Sequence, residues 1–168
     1  MLSTGESSGE SYREVQLDRY SVSTVIRWGE DLSVGHPLLD EQHRAIFDLL
    51  SEAQDLWRRG EGVPRLGPLL SRLGKLLEKH FPEEEAVLTA SGYPKLQEHA
   101  AEHQMALTEL REICSRFKGG ADAAGLAPGW MVLEFILRMA VGHVLVSDAG
   151  YAEFLAETKV ASPPARMN

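Results

Sequence analysis

Between residues 40 and 157 apolar side chains recur at three- and four-residue spacing in four runs, each closed by a break containing Gly or Pro. The first run extends from about Asp40 to Arg59 and stops at Gly60 and Gly62. The second extends from about Pro64 to Ala90 and stops at Ser91-Gly92-Tyr93-Pro94; the third extends from about Lys95 to Lys118 and stops at Gly119-Gly120. The fourth starts near Pro128 and continues, with a break near Gly150, to about Glu157. Strand-like alternation is absent. Four such runs with short connections predict an all-α fold over residues 23–157, an antiparallel up-down-up-down four-helix bundle with an N-terminal extended arm. Residues 1–22, rich in Ser, Glu and Gly, and residues 158–168, which contain SPPARMN, are too poor in core formers to join it and are expected to be flexible tails.

Within each run the inward stripe turns polar at one end. On the first helix Ile46, Phe47, Leu50, Ala53 and Trp57 lead back one turn to His43. On the second, Leu66, Leu69, Leu70, Leu73, Leu76 and Leu77 lead forward to His80 and Glu84. On the third, Leu107, Leu110, Ile113 and Phe117 lead back to His103, His99 and Leu96. On the fourth, Trp130, Leu133, Ile136, Leu137 and Ala140 lead forward to His143 and Val144, with Asp148 beyond. In an antiparallel bundle these polar positions fall at the same level, so five imidazoles and two carboxylates converge on one layer.

Any one His-x-x-x-His or His-x-x-x-Glu pair is unremarkable, because 3.6 residues per turn puts such pairs on one face whatever their purpose. Seven together in a core layer are different, since each desolvated group costs kilocalories unless it is compensated. Metal coordination compensates them. Histidine and carboxylate without cysteine suit iron, manganese or zinc rather than a thiolate or iron–sulfur site. Two six-coordinate ions need about twelve ligand positions; five histidines, two bridging carboxylates and one bridging oxygen leave about one open for a small exogenous ligand.

Some neighbours fall outside this pattern. Glu83 and Glu85 are rotated about 100° from Glu84 and are expected to face solvent. His36 precedes the first helix and reads as a loop histidine, and Cys114 lies about 16 Å along the helix from His103 and reads as a small core residue. His143 and Asp148 are five residues apart, which a regular helix would splay by about 140°, so a widened turn or an early helix end is required. Pro82 is expected to distort the second helix at the His80–Glu84 turn.

Charge narrows the partners. A net charge of −8, from 25 acidic against 17 basic side chains with no basic patch, argues against nucleic acid and anionic lipid surfaces. The most apolar stretch, Trp130 to Val146, carries Glu134, Arg138 and His143 and is short for a bilayer span, so it reads as a core helix and no membrane span is expected. The single cysteine and the absence of a basic start followed by an apolar run in MLSTGESSGESYREVQ lead to an expected cytoplasmic location.

The motifs Asp40-Glu41-Gln42-His43, His80-Phe81-x-x-Glu84-Glu85, Tyr93-Pro94, His99-x-x-x-His103 and His143-x-x-x-x-Asp148, preceded by Trp28, resemble the haemerythrins, in particular the bacterial ones, over about residues 25–157. The resemblance implies two iron ions in an oxo- or hydroxo-bridged centre. One would be held by His99, His103 and His143, the other by His43 and His80, with Glu84 and Asp148 bridging. It implies reversible, non-enzymatic binding of dioxygen at the two-histidine iron, for storage, delivery or scavenging, with nitric oxide or small anions as further ligands. The oxygen pocket would be lined by Ile46, Phe81, Ala140 and Val144. Met139 and Ala140 stand where many relatives carry a Trp-Leu pair, which implies a roomier pocket. The alternatives are a sensor of oxygen, redox state or nitric oxide, then an oxidase, peroxidase or iron-delivery protein; the last group ranks lower because such bundles favour Glu-x-x-His motifs.

Overall fold

The computed structural model describes residues 26–118 and 127–161. It contains α1 (Pro37–Arg58), α2 (Gly62–Ser91), α3 (Leu96–Lys118), α4 (Ala127–Leu137), a π-helical segment (Arg138–Ser147) continuing α4, and α5 (Ala149–Ala161). Every expected helix is present within about three residues of its expected start. Proline at the first position of α1 has the fixed φ that a helix needs there. The stops are equally local: Gly60 (φ 71°) and Gly92 (φ 73°) take the left-handed conformation that only glycine adopts without strain. In each case the following amide reaches back, Glu61 to Leu56 and Tyr93 to Leu88, both at 3.0 Å, closing the helix end.

Cross-helix pairs establish the antiparallel order. Arg72 pairs with Glu52 at 2.7 Å while His80 lies beside His43, so α2 runs against α1. His99 touches Glu84, and Leu110 approaches Gly74 lower down, so α3 runs against α2. His103 meets His143 and Glu109 meets Arg138, and Trp57 at the end of α1 packs on Trp130 near the start of α4. The four helices therefore pack as an all-α bundle.

The core is divided into two. A large cluster including Ile46, Leu50, Leu73, Phe81, Leu110, Ile136, Ala140 and Val144 fills most of the bundle, and a smaller one of Val34, Leu39, Leu88, Tyr151 and Leu155 closes one end. On α1 the sequence steps from Leu39 in the small cluster, past His43, to Ile46 in the large one; on α2 it steps from Phe81 past Glu84 to Leu88. The polar layer is thus sealed between two apolar clusters, which keeps water out and lowers the effective dielectric around it.

The N-terminal arm is described from Ile26. Ile26, Trp28 and Leu32 pack on the large cluster, and the Ser51 hydroxyl donates to the Ile26 carbonyl at 3.3 Å. The tail expected over 1–22 lies outside the described residues. At the other end α5 extends to Ala161, past the boundary expected at 157, and the remainder of that tail is likewise outside. The helix α2 continues through Pro82 without interruption, its pyrrolidine on an exposed position. The stretch Gly129–Thr158 is long and apolar enough to cross a membrane by length and composition, but 56% of its most apolar window is buried inside the bundle. It is the core helix of the fold.

Candidate metal centre

The last third of the chain provides the local feature that the His143–Asp148 spacing demanded. From Arg138 to Ser147 the helix is π-wound, and the Asp148 amide donates to the His143 carbonyl at 3.0 Å, a five-residue step. The wider turn brings residues five apart to one face, so His143 and Asp148 both point inward. The chain turns at Asp148, two residues before the break expected at Gly150, and α5 resumes at Ala149.

All seven polar residues of the layer are at most 5% exposed, and four, His43, His80, Glu84 and His103, are completely buried along with Asp148. Glu84 sits at the centre. Its Oε2 lies 2.9 Å from His103 Nε2 and 3.0 Å from His99 Nε2, while its Oε1 lies 3.8 Å from His80 Nε2 and 3.9 Å from His43 Nε2. Asp148 divides in the same way: Oδ1 is 3.4 Å from His99 Nε2 and 3.6 Å from His143 Nε2, and Oδ2 is 3.2 Å from His43 Nε2. Each carboxylate therefore gives one oxygen to a three-histidine set and the other to a two-histidine set.

Protonation follows from this burial. Desolvation pushes the His43 and His80 imidazoles down to about 4 and that of His143 to about 3, so all three are neutral at pH 7 with a nitrogen lone pair to give. Burial also raises the Asp148 carboxyl well above the usual range, helped by the neighbouring Glu84 charge. For Glu84 burial again pushes upward, but hydrogen bonds from His103 and His99, the His80 imidazole and the Tyr151 hydroxyl outweigh it and hold the carboxylate well below its ordinary range. His103 moves up, because contacts with Glu84 and Glu85 outweigh its desolvation.

The donor set fits a pair of cations. His43 Nε2, His80 Nε2 and both Asp148 oxygens are buried with no hydrogen-bond partner, although His43 and Asp148 are close enough to make one. Atoms aimed at a shared point between them have this arrangement, and so costly a set of orphans needs a partner of another kind. Two groups of four donors satisfy it, Glu84 with His99, His103 and His143, and His43 with His80, Glu84 and Asp148, the donor atoms within each lying no more than 4.8 Å apart. His36 and Cys114 join neither group: His36 stands at the residue before α1 without a side-chain capping bond, and Cys114 packs partly buried against the large apolar cluster.

The four residues expected to line a pocket are all buried in the large cluster at the edge of the polar layer. Phe81 is in direct contact with the donor histidines. Its ring stacks on His103 at 3.9 Å and 7° and stands edge-on to His143 at 5.4 Å. Trp28 adds a ring near His43, with the Arg44 guanidinium over its face.

The expectation that Glu83 and Glu85 face only solvent is corrected by the structure. Glu85 Oε1 accepts from His103 Nδ1 at 2.7 Å, and Glu83 accepts from the Gln42 amide, whose Oε1 is 2.9 Å from His80 Nδ1. A rotation of about 100° still points a long side chain along the groove toward the adjacent helix, where the outer nitrogen of a ligand-type histidine is within reach. Sequence reasoning gives Gln42 no role beyond its place in the Asp40–His43 motif and does not single out Tyr151. Tyr151, fully buried, donates its hydroxyl to Glu84 Oε1. The available signal was its position three residues after Asp148, on the same helical face. Tyr151→Phe is expected to cost the metal-free protein about 1.5–3 kcal/mol, since a charged acceptor loses a buried donor; urea unfolding of both proteins measures it.

Residues 34–155 match the family model described as "Hemerythrin HHE cation binding domain". The chain is similar to a protein named Bacteriohemerythrin from Pseudomonas aeruginosa, 25% identical over 126 residues that cover 75% of this chain and 78% of that one. It is 26% identical over 132 residues to a Bacteriohemerythrin of Stenotrophomonas maltophilia, covering 77% and 80%. A Bacteriohemerythrin of Campylobacter jejuni is 30% identical over 82 residues, covering 49% of this chain and 62% of that protein.

Proposed function

Because this chain belongs to the haemerythrin family, we propose that it holds two iron ions, bridged by Glu84, Asp148 and an oxo or hydroxo group, and binds dioxygen reversibly. The ions would supply the electrons that make dioxygen binding possible and take them back on its release. His99, His103 and His143 would hold one ion, and His43 and His80 the other, which keeps the open position. The observation that carries this reading is the division of both carboxylates, one oxygen to each histidine set, with Glu84 at 2.9–3.9 Å from four of the five imidazoles.

The chain's own residues contribute three things to such a task. The neutral imidazoles donate lone pairs without having to lose a proton first. The buried aliphatic and aromatic walls, Ile46, Phe81, Ala140 and Val144, exclude water and free protons from the exogenous-ligand side. The Tyr151 hydroxyl and Glu85 hold Glu84 and His103 in place. The reading is of a binding protein for storage, delivery or scavenging. Nitric oxide and small anions are the other ligands this position would accept. A cytoplasmic location belongs to the same proposal.

Metal analysis together with visible spectra of the protein, reduced without air, exposed to air and then evacuated, tests it. About two irons per chain and a band that appears with oxygen and disappears on evacuation are expected. One zinc per chain, or no reversible band, would overturn the reading.

A further inference from the structure

The two histidine sets differ in what stands behind them. Behind the three-histidine set are carboxylates. His103 Nδ1 donates to Glu85 Oε1 at 2.7 Å. His99 Nδ1 is 3.3 Å from the Ser147 hydroxyl, which in turn donates to Glu102, and Glu102 Oε2 also lies 3.9 Å from His143 Nδ1. Behind the two-histidine set there is no direct carboxylate. His80 Nδ1 meets the neutral amide oxygen of Gln42, and His43 Nδ1 is buried without a partner.

An imidazole that ligates through Nε2 carries its proton on Nδ1, and the acceptor there fixes the tautomer and ring orientation and adds electron density to the donor nitrogen. A carboxylate acceptor does this more strongly than an amide, and it also places negative charge near the ion. Both sets share the same two bridging carboxylates, so the first ion to bind neutralises charge that the second would otherwise enjoy. Resting on the di-metal reading above, we propose that Glu85 and Glu102 rank the two positions: the three-histidine position fills first and holds its ion more tightly, and the two-histidine position fills second and empties first. Glu85 and Glu102 are positioning residues here, acting through His103, His99 and His143. Both are partly exposed, with side chains 32% and 47% accessible, so replacing either does not open the core.

The test is a titration of metal-free protein with cobalt(II) chloride under a competing chelator, followed by the visible absorption of bound cobalt, with circular dichroism to check the fold. The unaltered protein is expected to take up two ions in two resolved steps, and His80→Ala to lose only the weaker one. Glu85→Gln is expected to weaken the tighter step by about 10–100-fold, the usual cost of removing an outer partner, and to shift the band of the first-bound ion while leaving the weaker step within about threefold. Glu102→Gln should act on the same step with a smaller effect, because its contacts are longer or indirect. Two ions bound in indistinguishable steps would overturn the ranking alone. So would Glu85→Gln moving both steps equally or neither. Uptake of fewer than two ions by the unaltered protein would instead overturn the di-metal reading, and the ranking with it.

Discussion

Stripping the ions with a chelator is expected to lower the melting temperature by more than 10 °C and to make the protein acid-labile. An ion that binds only the folded state stabilises it by RT ln(1 + [L]/Kd), about 4 kcal/mol at a thousandfold excess over Kd, and two ions double that. For a chain of this size each kcal/mol corresponds to roughly 2–4 °C. The acid sensitivity follows from the same buried layer. His43 and His80 titrate at about 4 and His143 at about 3 in the folded protein, against 6.5 when the chain is unfolded. Between those values the unfolded state binds protons that the folded state refuses, so stability falls as pH drops from about 6.5 toward 3–4. Glu84, depressed in the folded state, acts in the same direction at lower pH, whereas the raised carboxyl of Asp148 opposes it, favouring the fold when protonated. The raised His103 opposes it as well, so the loss between about pH 6.5 and 4 is carried by the three lowered imidazoles, His43, His80 and His143, which outnumber the two groups acting against them. Scanning calorimetry of loaded and stripped protein from pH 7.5 to 4.5 measures both effects. A stripped protein that melts as high as the loaded one would mean that the layer is compensated without ions.

Most of this arrangement was legible because helical phase is a strict constraint. Apolar spacing placed four helices, and continuing each stripe by one turn led to the residues that the structure brings within a few ångströms of Glu84. Phase also separated Glu84 from its neighbours correctly. It failed on what Glu83 and Glu85 do, because phase gives the direction of a Cβ and not the reach of the three atoms beyond it. Glu85 leaves the inward direction and still ends against His103 on the adjoining helix. Gln42 fails similarly: one residue before His43, it points across to α2, where its amide spans His80 and Glu83. Tyr151 was hidden for another reason. A large aromatic at helical spacing reads as core, which it is, and only the position of Glu84 beneath its hydroxyl gives it a second role. The spacing of His143 and Asp148 showed that the helix had to depart from regularity, but five residues are reconciled equally by a wide turn or by an early end, and the local sequence contains nothing that chooses.

The π segment chose the wide turn, and its register can be tested in both directions. Inserting one alanine after Val146, which is 67% exposed, is expected to remove Asp148 from the polar layer and, on the proposed two-ion reading, to reduce binding from two ions to one or none. The extra residue adds roughly 100° of rotation to everything that follows, so Asp148 leaves His43 and His99, the Tyr151 hydroxyl leaves Glu84, and Leu155 leaves the small apolar cluster. Deleting Val146 should be far milder. It shortens the His143–Asp148 spacing to four residues, which a regular helix places on one face, so the segment can relax to α-helical winding with Asp148 and Tyr151 still directed inward. The asymmetry arises because the π segment already holds one residue more than an α-helix would need across this turn: removing it restores a regular ladder, whereas adding another leaves no common winding that aligns the two residues. Cobalt uptake per chain and thermal unfolding of the two variants measure the difference. Equal damage from insertion and deletion would show that the site needs the π geometry itself, beyond the inward direction of Asp148, since the deletion preserves that direction and changes only the winding that produces it.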